Sequence, residues 1–140
     1  MTIKTVGIVA QGDMGAGTAG QLTRNGLRVI TNLTGRSDRS LALAKHAGME
    51  DVYTDATLID QADIFLSILP PGQAIALAQK MAPYIKASGK KIIFADCNAI
   101  APATAQEAQT IVEGAGGRFV DVGIFGNPPK QDKNGTRYYI

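Results

Sequence analysis

Six residues near the N-terminus constrain this chain most. Ala10-Gln11-Gly12-Asp13-Met14-Gly15 directly follows a β-branched run, Thr5-Val6-Gly7-Ile8-Val9-Ala10, and opens a stretch rich in Ala, Leu and Gly that continues to Asn25. A strand that turns over glycines straight into a helix leaves the first helical N–H groups unpaired and the positive end of the helix dipole exposed. Such an end attracts anions, and the spacing G-x-G-x-x-G, here with alanine first, suits a pyrophosphate. Gly12 lets the backbone come close to a ligand, and Gly15 lets helix and strand pack closely. Alanine at the first position is compatible with the turn at negative φ. A P-loop is excluded, because no Gly-Lys-Ser/Thr follows. The plain alternative is a glycine-rich turn that binds nothing. Gly17 and Gly20 lie inside the helix, where glycine is intrinsically weakening, and they read as positions of close helix–sheet packing.

The rest of the chain repeats the strand–helix rhythm. Residues 28–32 form a second strand, and 37–47 a helix with Gly48 just past its end. Val52-Tyr53 is a weak third strand, and residues 63–69 are a strong fourth, stopped by Pro70-Pro71. A helix from 73 to 85 follows, with Pro83 expected to end or kink it. Residues 91–96 are a fifth strand, 102–113 a helix with proline in its first turn, and 118–122 a sixth strand. Residues 126–135 form a polar, proline-containing loop, and residues 136–140 look like a strand. Strands alternating with helices of this length, the strands nearly all apolar, predict an α/β fold: a Rossmann-like, doubly wound, mainly parallel sheet in three layers, α/β/α.

At 140 residues and 45% apolar, the chain suits one folded domain and is too hydrophobic for disorder. A net charge of +2 gives no nucleic-acid footprint. The single cysteine, Cys97, excludes an internal disulfide framework and a Cys-rich zinc site. No apolar run approaches membrane-spanning length, the first residues carry no secretory signal, and a cytoplasmic location is expected. The end at Ile140 falls inside a strand-like segment, so the expectation is a single domain, 1–140, truncated before a further one.

Ligands of open α/β sheets sit at the carboxyl ends of the strands. After the second strand, an Asp or Glu would hydrogen-bond a ribose 2′-hydroxyl. The stretch reads Asn32-Leu33-Thr34-Gly35-Arg36-Ser37 instead, so Arg36 and Ser37 offer a guanidinium and a hydroxyl to a 2′-phosphate. Ser37 also reads as a helix N-cap, which is compatible. This favours NADP over NAD. After the fourth strand, Leu69-Pro70-Pro71 is either a rigid edge beside the cofactor or a plain strand stop. After the fifth, Asn98 can hydrogen-bond a carboxamide or a substrate, or cap the next helix. Cys97 reads as a small buried hydrophobe, since its only histidine partner, His46, sits on a distant helix and reads as solvated. No triad, metal cluster or acid/base carboxylate pair is legible.

Taken in order, these segments resemble the N-terminal cofactor domain of the β-hydroxyacid dehydrogenases, the family of 6-phosphogluconate and 3-hydroxyisobutyrate dehydrogenases. That family's G-x-I-G-L-G-x-M-G is similar to Gly7-Ile8-Val9-Ala10-Gln11-Gly12-Asp13-Met14-Gly15. Its Asn-Arg-Ser/Thr resembles Gly35-Arg36-Ser37, its L-P resembles Leu69-Pro70, and its D-x-S-T-x-x-P resembles the run from Asp96 to Pro102. Its D-A-P-V-S-G-G resembles Asp121-Val122-Gly123-Ile124-Phe125-Gly126-Asn127. The serine-threonine pair is replaced by Asn98-Ala99, the loop serine by Phe125 and one glycine by Asn127, which suggests a pocket with fewer hydroxyls and more apolar bulk. The Asp-Cys-Asn-Ala form resembles a distinct branch of the family.

The resemblance implies an NADP-binding domain of an oxidoreductase that transfers hydride between nicotinamide and a CH–OH or carbonyl substrate. Cofactor contacts would come from Gly12, Asp13, Met14, Gly15, Arg36, Ser37, Leu69, Pro70, Pro71 and Asn98. Asn98, Phe125, Gly126 and Asn127 would face a small-molecule substrate. The family's catalytic lysine belongs to a helical C-terminal domain, so no catalytic residue is expected in this chain, which alone would be inactive. The family also implies a homo-oligomer in the full-length form, with neither nucleic acid nor membrane as partner. An imine reductase-like enzyme and a non-catalytic nucleotide-binding module are the alternatives.

Overall fold

The computed structural model describes residues 3–10, 12–125 and 137–139. Its elements run β1 (Thr5–Ala10), α1 (Gly12–Arg24), β2 (Arg28–Thr31), α2 (Asp38–His46), β3 (Glu50–Asp51), α3 (Asp55–Gln61) and β4 (Ile64–Ile68). A 3₁₀ turn at Pro71–Gln73 then leads to α4 (Ala74–Ser88), β5 (Ile93–Asp96), α5 (Pro102–Gly114) and β6 (Arg118–Asp121). β7 (Gly123–Phe125) and β8 (Arg137–Tyr139) pair as an antiparallel ribbon, Ile124 opposite Tyr138.

Side chains alternate across each strand, and here both faces are apolar. Ile8, Val29, Leu66, Ile68 and Ala95 point to one side, where Ala19 and Leu22 of α1 cover them. Ile30, Phe65, Phe94 and Phe119 point to the other, under Leu58 and Ile59 of α3, Met81 and Ile85 of α4, and Val112 of α5. Two covered faces make the three layers. In register across β4, β5 and β6, Phe65, Phe94 and Phe119 form an aromatic row with ring centroids 5.0 and 6.2 Å apart. Such pairs add about 0.5–1.5 kcal/mol each beyond their burial.

The six-stranded sheet has the order β3-β2-β1-β4-β5-β6 and every ladder in it is parallel. The chain builds outward from β1 to β3, then returns to lay β4 against the opposite side of β1. The strand order therefore reverses between β1 and β4, and Ala10 lies level with Ile68 at their carboxyl ends. In sheets of this kind, that reversal opens a crevice beyond the strand ends.

The structure corrects the sequence reading at five places. The third strand is Glu50–Asp51, two residues earlier than Val52-Tyr53, because Tyr53 adopts φ 70°, which no strand accommodates. The helix α3 went unread; only Leu58 and Ile59 of its 7 residues are buried, too few to show a helical period. Pro83 neither ends nor breaks α4, which continues to Ser88 and stops at the left-handed Gly89. Pro83 is exposed, while its neighbours Met81 and Ile85 are buried in the core and hold the helix in line. Residues 123–125, to which the sequence reading gave no element, are a strand. Close packing on the sheet falls to Gly7 rather than to Gly20: a Cβ on Gly7 would meet Ala62 Cβ at 3.0 Å and Leu58 Cδ1 at 3.2 Å, whereas one on Gly20 would meet only the Arg24 tip.

Candidate functional site

The carboxyl edge gathers the residues that the sequence singles out. β1 ends at Ala10 and α1 begins at Gly12, so Gly12, Asp13 and Met14 form the helix's first turn, with Gly15 buried behind them. A helix start presents its first backbone N–H groups along the dipole axis, a geometry that favours an anion.

The loop after β2 is fastened along its whole length. Arg36 N–H donates to Leu33 O at 3.0 Å, closing a turn whose third residue, Gly35, has φ +76°. Positive φ at that position is the type II arrangement, and glycine adopts it without strain. Thr34 N–H donates to Asn32 Oδ1 at 3.1 Å, and Thr34 Oγ1 donates to Tyr53 O at 2.9 Å. Leu33 N–H and Tyr53 N–H both donate to Asp51 Oδ1, at 3.2 and 2.9 Å. The loops after β2 and β3 thus form one pinned unit that places Arg36 at the start of α2. Ser37 is the N-cap of α2, its hydroxyl accepting from Ser40 N–H at 3.2 Å, and Arg36 Nη2 donates to Ser40 Oγ at 3.4 Å. The strand-end position that would hold a carboxylate is Asn32, whose amide donates to Asp55 Oδ1 at 2.9 Å.

Beyond β1 and β4 lies a cleft of about 350 Å³, floored by Val9, Leu69, Ala76 and Leu77 and rimmed by Arg36, Gln73 and Lys80. That volume lies within the range of small-molecule sites, and an apolar floor with a few polar groups at the rim is their usual chemistry. Gln73 and Lys80 went unremarked in the sequence. Their signal was the helical spacing that puts Gln73, Leu77 and Lys80 on one side of α4.

The loops after β4 and β5 are stitched by Asn98. Its Oδ1 accepts from Leu69 N–H at 2.6 Å, its Nδ2 donates to Ser67 Oγ at 3.1 Å, and its backbone N–H donates to Asp96 Oδ1 at 2.9 Å. Asn98 is buried, and the cap of α5 is Ala101, so the helix-cap alternative for Asn98 does not hold. One amide hydrogen of Asn98 is uncommitted to these bonds. The bond to Leu69 fixes where Pro70 and the turn opened by Pro71 leave the sheet. Burial, with Asp96 and Asp121 nearby, pushes the Cys97 thiol up to about 12, so it stays protonated and unreactive at neutral pH. His46 is exposed at the end of α2. Phe125 closes β7, while Gly126 and Asn127 lie outside the described residues. Among the described residues no group of three or more His, Cys, Asp or Glu could hold a metal, and no helix is long and apolar enough to cross a membrane.

Residues 5–137 match the sequence model for the NAD binding domain of 6-phosphogluconate dehydrogenase. The chain belongs to this family. A nicotinamide dinucleotide is therefore the class of cofactor that the family implies, and the glycine turn, the cleft and the strand reversal are compatible with one. Among relatives of this NAD-binding domain is an uncharacterized 28.5 kDa protein encoded in the 7S RNA 5′ region of Methanothermus fervidus, 27% identical over 129 residues that cover 91% of this chain and 48% of that protein. The solved structure of conserved protein MTH1747, described as similar to 3-hydroxyacid dehydrogenases, superposes with a TM-score of 0.77 at 27% identity, over 88% of this chain and 44% of that one. The Mycobacterium tuberculosis 3-hydroxyisobutyrate dehydrogenase, solved with L-serine, shares the fold with a TM-score of 0.73 at 20% identity, over 90% and 42% of the two chains. The NAD-binding domain described here spans about half the length of these relatives.

Proposed function

We propose that this NAD-binding domain takes NADP in preference to NAD and serves an oxidoreductase of the hydroxyacid dehydrogenase type. The observation that carries the cofactor choice is the β2–α2 loop. Asn32 spends its side chain on Thr34 and Asp55, and the residue presented at the start of α2 is the cation Arg36. A 2′-phosphate gains a guanidinium, the Ser37 hydroxyl and the positive end of α2 in one place, whereas a bare 2′-hydroxyl meets no carboxylate at the strand end. The pyrophosphate goes to the first turn of α1 at Gly12, Asp13 and Met14. The Leu69-Pro70-Pro71 edge, held by Asn98, supports the nicotinamide half.

When bound, the cofactor supplies the hydride chemistry, and the protein supplies position and electrostatics. Asn98, with Phe125, Gly126 and Asn127, forms the proposed substrate side, for a small molecule bearing a CH–OH or carbonyl carbon. The resemblance places the proton-transferring lysine on a helical domain, which is also where a homo-oligomer would form.

Arg36→Ala tests the cofactor choice. Losing charge-assisted hydrogen bonds should weaken NADPH roughly 10–100-fold, with NADH little changed, as read by fluorescence titration of both. Equal weakening of the two would sink the preference. Binding of neither at millimolar concentration would sink the nucleotide reading itself.

A further inference from the structure

Lys80 stands on α4, outside every motif of the sequence, yet it lines the same cleft as Arg36. The two cations reach that cleft from different elements, the β2–α2 loop and α4, and share its lining with the apolar Val9, Leu69 and Leu77. An apolar-lined cleft that carries two cations from two elements is the complement of a flat aromatic base whose sugar carries a phosphate. Lys80 is also tethered. Its Nζ lies 3.5 Å from Asp55 Oδ2, and the other Asp55 oxygen accepts from Asn32 Nδ2 at 2.9 Å. The Asp55 side chain is 11% exposed and that of Lys80 64%. The carboxylate is thus fixed by Asn32, just past the end of β2, while the ammonium is held loosely, in water, at the cleft rim. At 3.5 Å and with its ammonium in water, such an ion pair holds the lysine weakly, so a dianionic phosphate at the rim competes with Asp55 for the lysine.

We propose that Lys80 is a second selectivity residue for the phosphorylated adenosine end of the cofactor, parked at the cleft by Asp55 and acting with Arg36 from a different element. The proposal rests on the NADP reading and names a further group that enforces it. Arg36 supplies a planar fork of donors, and Lys80 a mobile point charge that follows the phosphate.

The test is titration of the full chain with NADPH, NADH and 2′,5′-ADP, comparing the natural protein with Lys80→Met, Lys80→Arg and Arg36→Ala. Lys80→Met should weaken NADPH and 2′,5′-ADP about tenfold, the worth of one charge-assisted contact, and leave NADH within a factor of about two. Lys80→Arg should restore most of the loss, because charge rather than shape is required. An unchanged melting temperature for Lys80→Met confirms that the fold is intact. Equal weakening of NADPH and NADH would make Lys80 a general wall of the cleft and overturn the proposal, as would no effect on either. If the natural protein prefers NADH, or Arg36→Ala weakens both cofactors alike, the NADP reading has failed at Arg36 and the Lys80 proposal falls with it. If Arg36→Ala is selective and Lys80→Met is not, the proposal alone fails.

Discussion

Asp96 ends β5 with no exposed surface, one oxygen accepting the Asn98 N–H at 2.9 Å and the other without a hydrogen bond among the described residues. Burial holds its carboxyl above the usual range and nearby Asp121 adds to this, while the bonds to Asn98 oppose it. A folded-state pKa above the unfolded value near about 3.9 means that folding favours the protonated form. The contribution of Asp96 is therefore greatest below that value and declines as pH rises through the folded pKa. Asp96→Asn cannot ionise, keeps an acceptor for Asn98 and gives the second position a donor. Melting curves from pH 4 to pH 8 should show the variant gaining on the natural protein as pH rises. A gap that shrinks or reverses with rising pH would show that the carboxylate is favourably paired. Asn98 illustrates the same scale from the other direction. Its identity was legible as a departure from Ser-Thr, but its partners Ser67 and Leu69 are 31 and 29 residues away and become neighbours only when β4 and β5 pair.

Elements owe their limits to contacts that local pattern does not contain. α3 is 7 residues long, far below the length at which an isolated helix holds in water. It persists because Thr54 caps its start, and because Lys90, from the loop before β5, closes its end. Lys90 Nζ donates to Asp60 O at 2.6 Å, to Ala62 O at 2.8 Å and to Ile59 O at 3.4 Å. A cation on the last carbonyls satisfies them and faces the negative end of the dipole. Lys90→Met should cost about 1–2 kcal/mol, a drop in melting temperature on the order of 5 °C. A change under about 1 °C would show that water replaces the lysine without loss. α3 matters to the site because Asp55, in its first turn, ties Asn32 to Lys80. Gly7 lets the helix lie close over β1, within 3.0 Å of where a Cβ would sit.

Across the whole molecule, the cleft proposed for the cofactor draws its walls from β1, the β2–α2 loop, the end of β4 and α4. A ligand that joins these elements stabilises the assembled sheet and finds no such site in the unfolded chain. NADPH at a hundredfold excess over its Kd should add about 2.7 kcal/mol, a rise in melting temperature on the order of 10 °C. NADH at the same concentration should raise it less. Equal shifts would count against Arg36 and Lys80 as selectivity residues, and no shift with either would count against the cleft as the binding site.

Before any coordinates, the residues determined the alternation of strands and helices, the two-sided burial of the sheet, the glycine turn into α1 and the arginine after β2. Each is written locally, in apolar period, in turn chemistry or in a motif of a few residues, and the family follows from their order. Tertiary structure alone decided that Pro83 is tolerated, that Asp55–Gln61 is helical, that Asn98 locks two strand ends together and that Lys80 shares a cleft with Arg36. Those outcomes depend on which distant side chains meet once β4 crosses to the far side of β1. The crossing is enforced by simultaneous burial of both sheet faces, a collective requirement that no short stretch of sequence carries.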